Sequence, residues 1–416
     1  MQRVVVTGMG TISPIGNDVT TFWESIKQGK SGIRKIESFD ASETNVSVAA
    51  EVKEFNPRDT MGRKEYSRMD RYSQFGVAAS VEALEDSGYD MESNAENVGV
   101  IVGSGIGGLI ALQDGIEKML DKGPKRVSPM FVPMTIGNMG AANISMKVGS
   151  RGTSLDVVTA CASATNSIGE AFLKIRNGEL DACFAGGAEA TINEIGIAGF
   201  DVLTALSRNE DPATASRPFD QERDGFVMGE GAGILFLESL ESAQKRRADI
   251  LAEIVGYASN SDAYHMTAPR PDGSGAGEAI RSALEMAKID AEDVDYINAH
   301  GTSTPTNDSA ETASIKYALG EHAYNIPVSS SKGFFGHLLG AAGGVEAIAV
   351  VKALQEGYVP PTLGLENTDE KCDLDYVPQE GRAQNITYAL SNSLGFGGHN
   401  AILAFKAWVG ILLIRA

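Results

Sequence analysis

The chain of 416 residues is long enough to bury a substantial core and to hold two domains or one large duplicated one. Apolar residues make up 43% of it, with 47 glycines and only 7% aromatics, which suits an α/β protein with many tight turns and excludes a coiled coil or a disordered chain. A formal charge of −20, from 35 basic and 55 acidic residues, excludes general affinity for nucleic acid or an anionic membrane, so an acidic partner would need a local basic patch.

From the amino terminus, "MQRVVVTGMG" enters a β-branched run at once and has no apolar segment of signal-peptide length. The cysteines Cys161, Cys183 and Cys372 form an odd set without metal-ligand spacing. Both features predict a cytoplasmic protein with no membrane span. Strand-like runs then alternate with helical ones: "RVVVTG", "NVGVIVGS", "SLDVVTA" and "ACFAGGA", followed by "AEIVGYA", "VDYINAHG", "IPVSSS" and "AILAFK". The alternation predicts crossover units and mixed sheets covered by helices.

The two sets resemble each other. "AENVGVIVGSG" parallels "AEDVDYINAHG", and "VVTACASATNSIGEAFLKIRNGE" parallels "PVSSSKGFFGHLLGAAGGVEAIAVVKALQEG" as strand, short turn, long helix and glycine. A duplicated α/β unit is expected, with halves at 1–250 and 251–411 and the end of an apolar tail at 412–416. The first half is the longer, with its excess around Leu109 to Ser150. Corner residues from facing strand ends can then meet in one cleft.

"GSGIGG", Gly103 to Gly108, follows a strand and matches the dinucleotide fingerprint, but the acidic residue that should end a second strand is not evident. It reads as a glycine turn for close packing. Cys161 stands at a predicted strand-to-helix corner among the small residues Thr159, Ala160, Ala162, Ser163 and Ala164, which leave room for a substrate. Helix amides aimed at the sulfur are expected to lower its pKa, and the same turn offers a backbone N–H as half of an oxyanion hole. In the second half His300 of "NAHGTSTPTNDSAE" and His337 of "SSSKGFFGHLLGAAGG" occupy glycine-flanked corners, whereas His265, His322 and His399 lack such context. Lys332, alone in that uncharged segment, is expected to act electrostatically on its histidine neighbours.

"DVVTACASATNSIGEA", "INAHGTSTPTND", "SSSKGFFGHLLGAAGG" and "SNSLGFGGHNA", with "VVVTGMGTISPIGN" and "SRPFDQERDGFVMGEGAG", resemble in order the β-ketoacyl-[acyl carrier protein] synthases of thiolase fold. "HLLGAAGG" and "RDGFVMGEGAG" look more like the elongating type II form. The resemblance implies a five-layered αβαβα homodimer that elongates fatty acyl chains from malonyl carrier protein. It implies Cys161 as the acylated nucleophile, His300 and His337 in decarboxylation, and Phe396 as a gate whose amide pairs with that of Cys161. Lys332 joins the catalytic set, while Ile106, Phe200, Thr302 and Thr304 fall at substrate positions. Asn298, Glu311, Glu346, Ser391 and Asn392 correspond to a structural cation that the family sometimes holds, and they suit an ion pair with Lys332 equally well. No other cofactor is implied.

An acidic acyl carrier protein, in acyl and malonyl forms, is the implied partner. Basic charge for it gathers in "GRKEYSRMDR" and "KGPKRVSP", through Lys64, Arg68, Lys125 and Arg126, and Arg208 is expected to add to it. "GFGGHN" departs from the family in His399, where threonine is common, and "SKGFFGH" in Gly333 to Phe335. The end, "KAWVGILLIRA", is about half of the ~20 residues that span a bilayer. A biosynthetic thiolase would need a second, acid–base cysteine near "GFGGHN", which carries none. A non-catalytic partner that only shapes an acyl tunnel would be expected to lack Cys161.

Overall fold

The computed structural model describes residues 1–409; the expected tail segment 412–416 lies outside the described residues, as do 410 and 411. Ten strands form one sheet: β1 (Val4–Ile12), β2 (Val98–Gly103), β3 (Ser154–Leu155), β4 (Ala182–Glu189), β5 (Gly231–Ser239), β6 (Ala252–Ser261), β7 (Tyr296–Asn298), β8 (Val328–Ser329), β9 (Tyr388–Gly395) and β10 (His399–Ala407). The first five lie in the order 3-2-4-5-1 and the second five in the order 8-7-9-10-6. The senses match as well. β2 is parallel to β3 and β4, as β7 is to β8 and β9, and the remaining neighbours in each half are antiparallel. The half-sheets join where β1 pairs antiparallel with β6.

Helices fill both faces. α1 (Arg71–Ser87) and α2 (Met139–Val148) cover the outside of the first half-sheet, α3 (Ser163–Arg176) lies between the halves, and α4 (Ser274–Ala287) and α5 (Pro305–Leu319) cover the outside of the second. α6 (Ala342–Glu356) joins α3 in the middle. This is the expected five-layered αβαβα arrangement.

Strand periodicity explains how each half-sheet serves two layers. In β4 and β5, Phe184, Ile234 and Phe236 face α1 and α2, whereas Cys183, Ala185, Leu235 and Leu237 face the central helices. α3 presents Ile168, Ala171, Phe172 and Ile175 at helical spacing to the same central core. Burying such a side chain contributes about 1.5–3 kcal/mol, so the central layer fixes α3 and α6 against both sheets.

Candidate active site

Cys161 and His337 hold equivalent places in the two halves, each between the third strand and the helix that packs centrally: β3 then Cys161 then α3, β8 then His337 then α6. The predicted strand before Cys161 ends early, at Leu155, because the chain leaves the sheet to form the corner. Asp156 there accepts from Ser104 N at 3.1 Å. Ala160 adopts a left-handed φ of 51°, and Ser163 Oγ staples the turn, accepting from Thr159 N at 2.9 Å and donating to Ala160 O at 2.7 Å. A strained non-glycine residue of this kind costs about 1–3 kcal/mol and is retained where the surroundings over-determine it.

The corner brings the sulfur against β9. A Cβ on Gly395 would stand 2.5 Å from Thr159 O, so only glycine admits this approach. The backbone amides of Cys161 and Phe396 both act on the sulfur, each favouring its charged form, and so supply the paired donors that an oxyanion hole needs. One ring nitrogen each from His300 and His337 lies within 4.8 Å of the sulfur and of the other. The two rings stand nearly perpendicular, with centroids 5.2 Å apart.

His337 is clamped by the "RDGFVMGEG" segment: its N donates to Val227 O at 2.7 Å, its carbonyl accepts from Gly229 N at 2.9 Å, and Phe226 meets its ring edge-on. Phe226 was not singled out in the sequence, although the quoted motif contains it. His300 is held by Glu311, whose carboxylate accepts from His300 N and Gly301 N at 2.8 Å each. Burial, and then the Lys332 charge, push both imidazoles well below their usual pKa, so both are neutral.

Their tautomers follow from their neighbours. Lys332 Nζ lies 3.4 Å from His300 Nδ1 and can only donate, so Nδ1 accepts and Nε2 carries the proton. Leu339 N donates to His337 Nδ1 at 3.3 Å, with the same result. Both histidines therefore offer Nε2–H. Lys332 is engaged as expected, also donating to His300 O and pairing with Glu346.

The thiol corrects one expectation. Burial pushes Cys161 up to about 12, outweighing the opposing pull of Lys332 and of the two amides, with buried Glu189 adding to the rise. The resting residue is a thiol, because desolvation in the packed corner exceeds what the surrounding donors supply.

A cleft of about 380 Å³ reaches these groups, lined among others by Cys161, His300, His337, Thr302, Thr304 and Phe396. Phe200 also lines it, its ring between Phe226 and Phe396 with centroids 5.6 and 6.4 Å away. Ile106 does not line this cleft. It lies in the loop after β2 and is 41% exposed.

The five residues considered for a cation are linked behind His300. Asn298 and Ser391 pair across β7 and β9, and Asn392 donates to Glu311 at 3.3 Å. The ion pair of Glu346 with Lys332 uses one carboxylate oxygen. Glu346 Oε2, Ser391 Oγ, Asn392 Oδ1 and Asn298 Nδ2 are buried without a hydrogen-bond partner among the described residues. Three orphaned oxygens, one of them on the Glu346 carboxylate, with the Glu311 carboxylate beside them, fit a hard cation.

Lys64, Arg68, Lys125 and Arg126 are exposed. Arg208 is also exposed, but its guanidinium is held by Asp201 at 2.9 Å, one turn from Leu203 and Thr204 of the cleft mouth.

Residues 1–243 match the family described as "Beta-ketoacyl synthase, N-terminal domain", and residues 251–366 match "Beta-ketoacyl synthase, C-terminal domain". A 3-oxoacyl-[acyl-carrier-protein] synthase 2 of Synechocystis sp. is 53% identical over 409 residues, covering 98% of each chain. A β-ketoacyl synthase structure from Burkholderia phymatum superposes with a TM-score of 0.92 at 37% identity, covering 98% of this chain and 100% of that one. The ketosynthase in a type II polyketide complex with its acyl carrier protein and a bound hexaketide gives 0.91 at 34% identity, with the same coverage.

Proposed function

This chain belongs to the β-ketoacyl synthase family, and from that premise we propose that it is a 3-oxoacyl-[acyl carrier protein] synthase of type II, elongating fatty acyl chains by two carbons. The observation that carries the reading is the convergence of two Nε2–H donors and two backbone amides on one buried thiol.

Acyl transfer needs no resident base. Cys161 attacks the carrier thioester, the C–S bond to the carrier breaks, and the thiol proton leaves with the carrier sulfur, while the Cys161 and Phe396 amides hold the oxyanion. Malonyl thioester then loses CO2, and the enolate oxygen takes the hydrogen bonds of His300 and His337. The enolate carbon attacks the acyl carbonyl, the Cys161 sulfur leaves as thiolate and takes a proton from water, and 3-oxoacyl carrier protein departs. Thr302 and Thr304, at the cleft wall, suit the polar arm of the carrier. A thiolase reading lacks its second cysteine here.

The test is acylation of the purified protein alone. One acyl group per chain on Cys161 by mass spectrometry, followed by a product two carbons longer on adding malonyl carrier protein, is expected. No acylation would make the chain a non-catalytic partner instead.

The proposed setting is cytoplasmic; among the described residues no helix is long and apolar enough to cross a membrane. A second copy of the chain is proposed at the open edge of the sheet, where β3 has no outer neighbour among the described residues and Ile106, Val132, Ile136, Leu155 and Val158 are exposed. Such a copy would cover Ile106 and make it part of an acyl pocket. A cation held by Asn298, Glu311, Glu346, Ser391 and Asn392 would supply positive charge between the carboxylates and brace the strand that ends at the Phe396 gate. Catalysis requires no other cofactor in this reading.

Acyl and malonyl carrier proteins are proposed to dock on Lys64, Arg68, Lys125 and Arg126, with Arg208 nearer the mouth. Reversing the first four charges together should slow association, because a chain of charge −20 repels an acidic carrier unless local basic groups steer it. Salt should slow the parent more than the variant as the Debye length falls to about 8 Å near physiological ionic strength. Pantetheine substrates without the protein should react equally with both. Equal association rates and salt slopes in stopped flow would place docking elsewhere.

A further inference from the structure

We infer that Glu189 is a positioning residue that clasps the acyl-side loop to the turn carrying His337, so that both half-reactions share one alignment. The inference rests on the condensation reading above. Glu189 ends β4 in the first half, as Phe396 directly follows β9 in the second, and it is fully buried. Its Oε1 accepts from Ser104 Oγ at 2.8 Å and Ile106 N at 3.2 Å, and its Oε2 accepts from Gly105 N at 2.7 Å and Gly340 N at 2.9 Å. Three of these donors lie on the loop that carries Ile106. The fourth lies on the turn just after His337, in the other half of the molecule.

The two backbones meet because Gly340 has no side chain, and Gly105 leaves room for the carboxylate between them. A Cβ on Gly340 would stand 2.2 Å from Gly105 N, and one on Gly105 would stand 2.8 Å from Glu189 Oε2. Ser104 Oγ also accepts from Gly107 N at 3.0 Å, so the loop is braced within itself as well as to the carboxylate. A buried carboxylate is costly to keep, and packing alone would be served by an apolar side chain. What an apolar side chain cannot do is fix two backbone segments from different halves at hydrogen-bond precision. Displacing the Ser104–Ile106 side alters where an acyl chain lies; displacing the Gly340 side moves the ring of His337.

Two variants separate this role from simple stabilisation. Glu189→Gln offers donors where two backbone N–H groups point, and so disturbs both sides of the clasp. Ser104→Ala loosens only the acyl side. With Glu189→Gln, malonyl decarboxylation is expected to fall more than about tenfold and the preference between long and short acyl donors to change more than about threefold. With Ser104→Ala, the preference should change while decarboxylation stays within about twofold. Alkylation of Cys161 by iodoacetamide, which needs neither loop, should stay within about twofold in both. Proportional losses in alkylation, acylation and decarboxylation together with a lowered thermal midpoint would reduce Glu189 to a structural residue and overturn the inference. So would unchanged preference and decarboxylation in Glu189→Gln. If that variant does not fold, an unchanged acyl preference in Ser104→Ala overturns it. Failure of the parent protein to acylate would instead remove the condensation reading.

Discussion

Replacing Cys161 by glutamine is expected to abolish condensation while malonyl decarboxylation continues. The glutamine side chain is neutral and places an amide carbonyl near the position of an acyl thioester, where the Cys161 and Phe396 amides can serve its oxygen. The decarboxylation donors, His300 and His337, remain untouched. Cys161→Ser should also lose condensation, by at least about a thousandfold, because an alcohol is a poor nucleophile without a base. No base is at hand: both neighbouring imidazoles accept at Nδ1 and hold their proton at Nε2, toward the site. Product formation and CO2 release, followed separately from malonyl carrier protein, check both variants. Full condensation in either would overturn the nucleophile assignment.

His300→Ala and His337→Ala are expected to acylate Cys161 but to decarboxylate poorly, each losing one enolate donor at about 3 kcal/mol, on the order of a hundredfold in rate. Acyl transfer survives because its oxyanion is served by backbone amides and its proton leaves with the carrier sulfur. The two variants should not be identical in detail. His300 also contacts the Lys332 ammonium, whereas His337 is steadied by Phe226 and the Val227–Gly229 backbone. Single-turnover acylation by mass spectrometry and CO2 release measured side by side decide the matter. Lost acylation with normal decarboxylation in both would reverse the assigned roles.

Much of this arrangement is legible in the sequence, and what is not has identifiable causes. The predicted runs fall on eight of the ten sheet strands, because a β-branched or strongly apolar run buried on both faces is a local signal. β5 and β9 were not among them. "GAGILFLES" opens on two glycines, and "YALSNSLG" carries buried Ser and Asn, including the orphaned Ser391 and Asn392, in place of the usual apolar alternation. The nucleophile and the two histidines were legible because small residues and glycines mark tight corners. The direction of the Cys161 shift was not legible, since desolvation is imposed by residues distant in sequence, among them Phe226, Met228 and Leu339 of its buried cluster, and the charge of Glu189 adds to the rise. Glu189 itself sits in "AGGAE" with nothing local to distinguish it from a surface carboxylate.

The strand orders 3-2-4-5-1 and 8-7-9-10-6 make Cys161 and His337 counterparts under an approximate twofold axis. An association of two identical halves would carry the same residue at both corners, two thiols or two imidazoles, and neither pair can both bear an acyl group and stabilise an enolate. Cysteine facing histidine requires the copies to be distinct, and joining them in one chain guarantees that every molecule receives one of each. The proposed chemistry depends on this broken symmetry: the two halves supply matching frames, and the difference at this matched position leaves one frame to hold the acyl group and the other, with His300, to stabilise the incoming carbanion.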